Sequence, residues 1–237
     1  MKGGLSGTEQ TMLNTIENER LRLLRLDTPL NDGTLATPAS LDRGISIATA
    51  CRASKPPNPA LMLFQMIREL NPKTVLELGT NVGISSAYIL AALAQNGIGG
   101  TLTTLDVSPY RLRLAKEFHE RLALQNIVYV EGLFEDTLQV QLSGIDSVDL
   151  AFIDGHHQYQ PTLDYFAQIF EKSSANAVFV FDHIRCSPGM RKAWMALQAD
   201  ERLGMVVDLW SVGIGVRRHD TIPDRYVFPP IYNAIRH

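Results

Sequence analysis

Cysteine, net charge and long apolar runs are all scarce in this chain. Its 237 residues include two cysteines, Cys51 and Cys186. Two thiols make no disulfide framework, so a reducing cytosol is the expected compartment. The formal net charge is −3, and a chain so nearly balanced exerts no global attraction on nucleic acid. No apolar run approaches the roughly 18 residues that a membrane-spanning helix needs. The opening stretch "MKGGLSGTEQTMLN" lacks the apolar core of a signal peptide. Neither repeats nor low-complexity segments are visible. Hydrophobic residues at 45% and charged residues at 20% are ordinary for a globular domain with a sizeable core. The expectation is a cytoplasmic protein with no membrane or nucleic-acid partner.

Before residue 58 the pattern is helical, with an amphipathic stretch over 8–26 marked by Met12, Leu13, Ile16, Leu23 and Leu24. A loop rich in proline, glycine, aspartate and threonine covers 26–40, and a helix is expected over 40–52. A further helix begins at "NPALMLFQMIREL", with Asn58 as cap and Pro59 in its first turn. From residue 73 short β-rich runs alternate with helices. Strands are expected at 74–79, 101–106, 126–132, 147–154 and 176–183, and helices at 83–95, 108–123, 159–172 and 187–198. Ser108–Pro109 and Ser187–Pro188 open two of those helices. This alternation implies βαβ units and a parallel sheet covered by helices on both faces. "MVVDLW" and "GIGVRR" lie too close together for a helical crossover and should form an antiparallel hairpin at one edge. The fold class is therefore α/β, Rossmann-like, with a mostly parallel sheet of seven strands and extra N-terminal helices. The domains expected are an N-terminal lid or dimerisation extension at 1–57, a core at 58–217 and a tail at 218–237.

"VLELGTNVGISS" joins the first sheet strand to a helix. Gly79 and Gly83 permit a tight turn and a close backbone approach to a ligand. Ser85 and the free N–H groups of the helix start can then hydrogen-bond that ligand. The spacing is G-x-x-x-G, not the G-x-G-x-x-G that cradles a pyrophosphate, and Glu77 would repel phosphates. An acid there suits a ligand with a cationic group; glycines needed only for packing would give the same pattern. Asp106 ends the second strand, where a carboxylate can accept both hydroxyls of a ribose. It would equally favour the dipole of the following helix. Gly132, ending the third strand, lets an adenine ring lie close.

Taken together, these segments resemble class I S-adenosylmethionine-dependent methyltransferases over about residues 58–217. "LELGTNVGISS" resembles the glycine signature of the catechol and caffeoyl-CoA O-methyltransferase type, "TLTTLDVSP" its ribose-binding acid and "VEGLFEDTL" its adenine-side loop. "DLAFIDGHHQYQPTLDYF" and "VFVFDHIRCSPGMRKAW" resemble the segments after the fourth and fifth strands, and also a bacterial group of related small-molecule methyltransferases. The resemblance implies that Glu77, Gly79, Thr80, Asn81, Gly83, Ser85, Asp106, Gly132 and Asp154 surround S-adenosylmethionine. Metal-dependent relatives use an aspartate after the fourth strand and an Asp-Asn or Asp-Asp pair after the fifth. By position this implies Asp154, Asp182 and His183 as a divalent metal site. The histidine departs from the family and moves the preference from Mg²⁺ toward Mn²⁺, Fe²⁺ or Zn²⁺.

A hydroxyl is a weak nucleophile at neutral pH and needs a base or a metal to shed its proton. Histidine's ordinary pKa suits that task. His156 occupies the position of the general base in some related sugar O-methyltransferases, and His157 is the alternative; the sequence does not separate them. The function expected is methyl transfer to a hydroxyl of a small-molecule acceptor, by a homodimer. The other readings are an NAD-dependent oxidoreductase, which the glycine spacing opposes, and a non-catalytic cofactor-binding protein of the same fold.

Overall fold

The computed structural model describes residues 4–30, 45–218 and 224–228. The chain divides into two compact units, Met1–Val140 and Gln141–His237. The division expected at 57/58 therefore does not coincide with the compact units, because the N-terminal helices belong to the core of the first.

In that first unit α1 (Gly7–Leu23) starts in a capping box. Ser6 Oγ accepts the Glu9 N–H, and Glu9 reaches back to the Ser6 N–H. α2 (Ile47–Arg52) is capped by Ser46. α3 (Pro57–Leu70) begins earlier than the sequence suggested: Pro56 sits at the cap and Pro57 opens the helix, which puts Asn58 inside it. A proline at the first helical position forfeits no hydrogen bond and already has a helical φ, so Pro57 sets the start. β1 (Thr74–Leu78), α4 (Ile84–Asn96), β2 (Thr101–Asp106), α5 (Pro109–Arg121) and β3 (Ile127–Glu131) follow close to the predicted spans. The three strands are parallel with β2 in the middle. α4 is buried continuously from Ile84 to Leu93, as a helix apolar on all sides must be. α1 and α3 cover it. Polar ties fix α1 in place: the Tyr88 hydroxyl on α4 donates to Glu17 at 2.6 Å, Arg20 donates to the Lys55 carbonyl at 2.7 Å, and Arg68 pairs with Glu9 at 2.8 Å. A helix that the sequence reading treated as loop, α6 (Phe134–Ser143), runs across the division at residue 140.

The second unit contains β4 (Val148–Ile153), α7 (Tyr159–Glu171), β5 (Ser173–Asp182), α8 (Pro188–Gln198), β6 (Leu203–Asp208), β7 (Val212–Arg217) and β8 (Asp224–Val227). β4 and β5 are parallel, β5 pairs antiparallel with β7, and β6–β7 is the expected antiparallel hairpin. The described strands number eight, one more than expected. β8 pairs parallel with β6, so the hairpin is not the edge; the proline-rich surroundings of "DRYV" hid this short strand. The rest of the 218–237 tail, like most of the predicted 26–40 loop and the start of the 40–52 helix, lies outside the described residues. Among the described residues no helix is long and apolar enough to cross a membrane.

Aromatic rings fill the core of this unit. Phe166 meets Phe179 edge-on at 5.1 Å, and Phe181 lies 5.9 Å from Trp194. Trp194 is pinned because its indole N–H donates to Asp208 at 2.8 Å. Gly213 on β7 faces that indole, and a Cβ there would overlap the six-membered ring. Gly213→Ala should lower the unfolding free energy by about 1–3 kcal/mol through overpacking. Urea denaturation followed by tryptophan fluorescence measures it; unchanged stability would mean that Trp194 yields freely.

Candidate active site

The turn between β1 and α4 is built around a buried acid. Glu77 is wholly inaccessible to solvent. Its carboxylate accepts the Ser85 and Thr104 hydroxyls at 2.6 Å each, and also the Ser86 hydroxyl. Because Thr104 donates to Glu77, its oxygen accepts from Thr80, 2.6 Å away. Strand β1, the turn, strand β2 and the start of α4 are thus stitched through one side chain. Ser85, expected to offer its hydroxyl to the cofactor, directs it at Glu77 instead. The start of α4 still presents N–H groups, since Gly83 caps it without any side-chain acceptor.

Asp106 closes the turn from the other strand. One carboxylate oxygen accepts the Asn81 N–H at 2.8 Å and the other the Ser108 N–H at 2.9 Å. A carboxylate has about four acceptor positions, which is the chemistry that a ligand's hydroxyls would need. Three backbone positions here have positive φ: Gly79 at 101°, Asn81 at 48° and Gly83 at 85°. At Gly83 the size limit comes from inside the protein, because a Cβ would crowd Ala115 and His119. Gly132 has φ 139° and faces Thr137 of α6. Its smallness likewise serves the protein's own packing.

Asn81 has a part that the sequence did not reveal. Its amide donates to the Ala50 carbonyl at 2.9 Å and to Ser54 Oγ at 3.0 Å, and accepts from Arg111 at 3.0 Å. It fastens α2 and the residues after it to the glycine turn. No sequence signal marks this, because Ala50 contributes only backbone.

The second unit gathers the chemistry-bearing side chains expected at the ends of β4 and β5. Asp154, His157 and His183 each place one donor atom within 4.8 Å of the other two. The Asp154 carboxylate is 3.6 Å from His157 Nε2 and 3.3 Å from His183 Nδ1. Asp182, expected as a metal ligand, lies against the same nitrogen of His183 that faces Asp154. One of its oxygens accepts the His183 N–H at 2.8 Å, and the other is 3.0 Å from the ring Nδ1. His157 takes the third place in the cluster, a role not foreseen at sequence level although it lies three residues after Asp154. His156 turns to Tyr165, with its Nδ1 at 2.7 Å from the hydroxyl. The structure therefore separates the two neighbouring histidines: His157 joins the cluster and His156 does not. All three histidines have positive φ, between 40° and 64°. Such strain concentrates at functional sites.

Residues 76–184 match the family described as a methyltransferase domain. That match spans less than half of the chain. A Mycobacterium sp. (strain JLS) protein named "Putative O-methyltransferase" is 31% identical over 107 residues, 44% of this chain and 46% of the relative. A similarly named protein of Mycobacterium leprae (strain TN) is 34% identical over 91 residues, 38% of each chain. This chain thus aligns with less than half the length of the curated relatives it matches. Solved structures show the same fold over most of the chain. The SAH-bound Podospora anserina methyltransferase PaMTH1 has a TM-score of 0.64 at 15% identity, covering 92% of this chain and 90% of its own. An SAH complex of a Bacillus cereus O-methyltransferase has a TM-score of 0.61 at 20% identity, covering 85% and 100%.

Within the matched segment His119 props the glycine turn. Its Nε2 lies 2.8 Å from the Gly83 carbonyl and its Nδ1 2.7 Å from the Tyr129 hydroxyl. A carbonyl only accepts, so Nε2 carries the proton and the tyrosine donates to Nδ1. Burial pushes the pKa of this ring down to about 4, although the Gly83 bond works in the opposite direction. The unfolded chain therefore binds this proton more readily. The stability due to a neutral His119 is complete above the unfolded value near 6.5 and declines as the pH falls toward 4, by about 3 kcal/mol in all. His119→Gln, which keeps a donor without the titration, should flatten that part of the stability profile. Denaturation between pH 4 and 7 checks this; identical slopes in both proteins would refute it.

Proposed function

We propose that this protein transfers a methyl group from S-adenosylmethionine to a hydroxyl oxygen of a small molecule. The observation that carries the reading is the cluster of Asp154, His157 and His183 at the carboxyl ends of β4 and β5, in a chain whose central segment matches a methyltransferase domain. Ligands in open α/β folds collect at those strand ends. When bound, S-adenosylmethionine supplies a methyl group activated by a positively charged sulfur. The residues of the β1–α4 turn fit such a donor. Gly79 and Gly83 let the backbone come close, Asp106 has acceptor positions for ribose hydroxyls, and Glu77 holds the turn in shape from beneath.

The acceptor side needs a proton removed. Asp154, His157 and His183 are three donors suited to one divalent cation. Two imidazoles with one carboxylate favour Mn²⁺, Fe²⁺ or Zn²⁺ over Mg²⁺. A cation there supplies Lewis acidity that lowers the pKa of a coordinated hydroxyl. Without one, His157 can take the proton itself while Asp154, 3.6 Å away, steadies the imidazolium. Asp182 orients His183 in either case. The tie from Asn81 to Ala50 and Ser54 supports a part for the N-terminal helices beside the donor turn. The homodimer and the cytoplasmic location expected from the sequence belong to this proposal as well.

Methyl transfer from S-adenosylmethionine to a panel of phenols and glycosides, with and without EDTA, tests the reading. Asp154→Asn and His183→Ala should each lower turnover by about 100-fold or more, with calorimetric affinity for S-adenosylhomocysteine within a few fold of wild type. Loss that EDTA reproduces and Mn²⁺ reverses assigns the cluster to a metal; indifference to EDTA assigns the proton to His157. A well-folded protein that binds neither the donor nor its demethylated product would overturn the proposal.

A further inference from the structure

A groove of about 300 Å³ opens beside the His183 turn, at the start of α8. Arg185, Arg191 and Lys192 line it, together with Ser187 and Met195. No carboxylate is among its walls. The three cations differ in their circumstances. Arg185 is neutralised, since it makes two hydrogen bonds to Asp208 at 2.8 and 2.7 Å and lies over the Trp210 ring. Lys192 has only an aromatic face, with its ammonium 4.3 Å from the Tyr159 ring centre. Arg191 is exposed, and its guanidinium has no hydrogen bond or ion pair among the described residues.

The groove is joined to the catalytic cluster by its own backbone. Ser187 Oγ donates to the His157 carbonyl at 3.0 Å and accepts the Met190 N–H at 3.0 Å. The Cys186 N–H donates to the His183 carbonyl at 2.9 Å. The start of α8, which carries Arg191 and Lys192, is therefore tied to the turns that carry His157 and His183.

We propose that this groove binds an oxyanion of the methyl acceptor, so that the substrates are acidic hydroxyl compounds and not neutral ones. This rests on the methyl-transfer reading for its purpose, but the binding itself does not depend on it. Arg191 and Lys192 supply the charge, with the guanidinium suited to a planar carboxylate or to phosphate. Arg185, committed to Asp208, forms a rigid wall. Met195, 63% exposed, offers an apolar surface for the body of the molecule.

Calorimetric titration with catechol, 3,4-dihydroxybenzoate and 2-hydroxyphenyl phosphate tests this directly. Wild type should bind one of the two acids about tenfold more tightly than catechol, and added NaCl should erode the preference, as for exposed charge pairs. The acid that binds more strongly identifies carboxylate or phosphate as the anion. The double variant Arg191→Gln/Lys192→Gln should lose the preference while keeping its affinities for catechol and for S-adenosylhomocysteine. Equal binding of acids and catechol by wild type, no binding of either acid, or an undiminished preference in the double variant would overturn the inference. Preferred acid binding in a protein that fails to bind S-adenosylhomocysteine would sink the methyl-transfer reading and leave the groove standing.

Discussion

The first unit depends on burying one carboxylate. A carboxylate removed from water loses several kcal/mol of solvation unless hydrogen bonds replace it. Glu77 receives such bonds from Ser85, Ser86 and Thr104, which come from α4 and β2. The dependence runs both ways: the acid is tolerable only while the helix start and the neighbouring strand hold their places, and they are held by the acid. The turn between them inherits that order. Of its three positive-φ residues only Asn81 carries a Cβ and is costly in that conformation, and Asp106 restrains it from the opposite side through its backbone N–H. A turn made this way is formed before any ligand arrives, which would reduce the ordering cost of binding one there.

In the second unit the strain is concentrated instead of the charge. His156, His157 and His183 all adopt the left-handed region, which disfavours side chains with a Cβ by about 1 kcal/mol or more each. Glycine would relieve that at every position. What holds the conformation is visible around it: Ser187 grips the His157 carbonyl, Tyr165 binds the His156 ring, and Asp182 binds both the backbone and the ring of His183. These partners restrain the histidines, as the proposed proton transfer would require.

Much of the fold was legible in the sequence because its signals are local. The Ser-Pro openings of α5 and α8, the alternation of strand and helix, and the short break between β6 and β7 each state their own structure. The failures have physical reasons too. α6 was read as a loop because it is short and follows Gly132 directly. β8 was hidden by prolines and is stabilised only by pairing with β6, a nonlocal contact. Site residues were located by position along the chain, and position fixes the strand end but not the rotamer. The structure brings Asp154 and His183 together with His157 and leaves Asp182 against His183, an arrangement that position along the chain does not specify.

The contacts of Asp182 bear on what His183 can do. Asp182 is almost fully buried and lies against both the N–H and the Nδ1 of His183. The same Nδ1 is 3.3 Å from Asp154, so two carboxylates meet at one imidazole nitrogen. A proton on that nitrogen can be donated to either acid, and a cation bound there would have to take its place. The bond from the His183 backbone N–H to Asp182 does not depend on the ring, so it holds the left-handed turn whichever partner the ring takes. Asp182 therefore sets the backbone of the turn, and the choice between proton and cation falls to the ring nitrogen that it shares with Asp154.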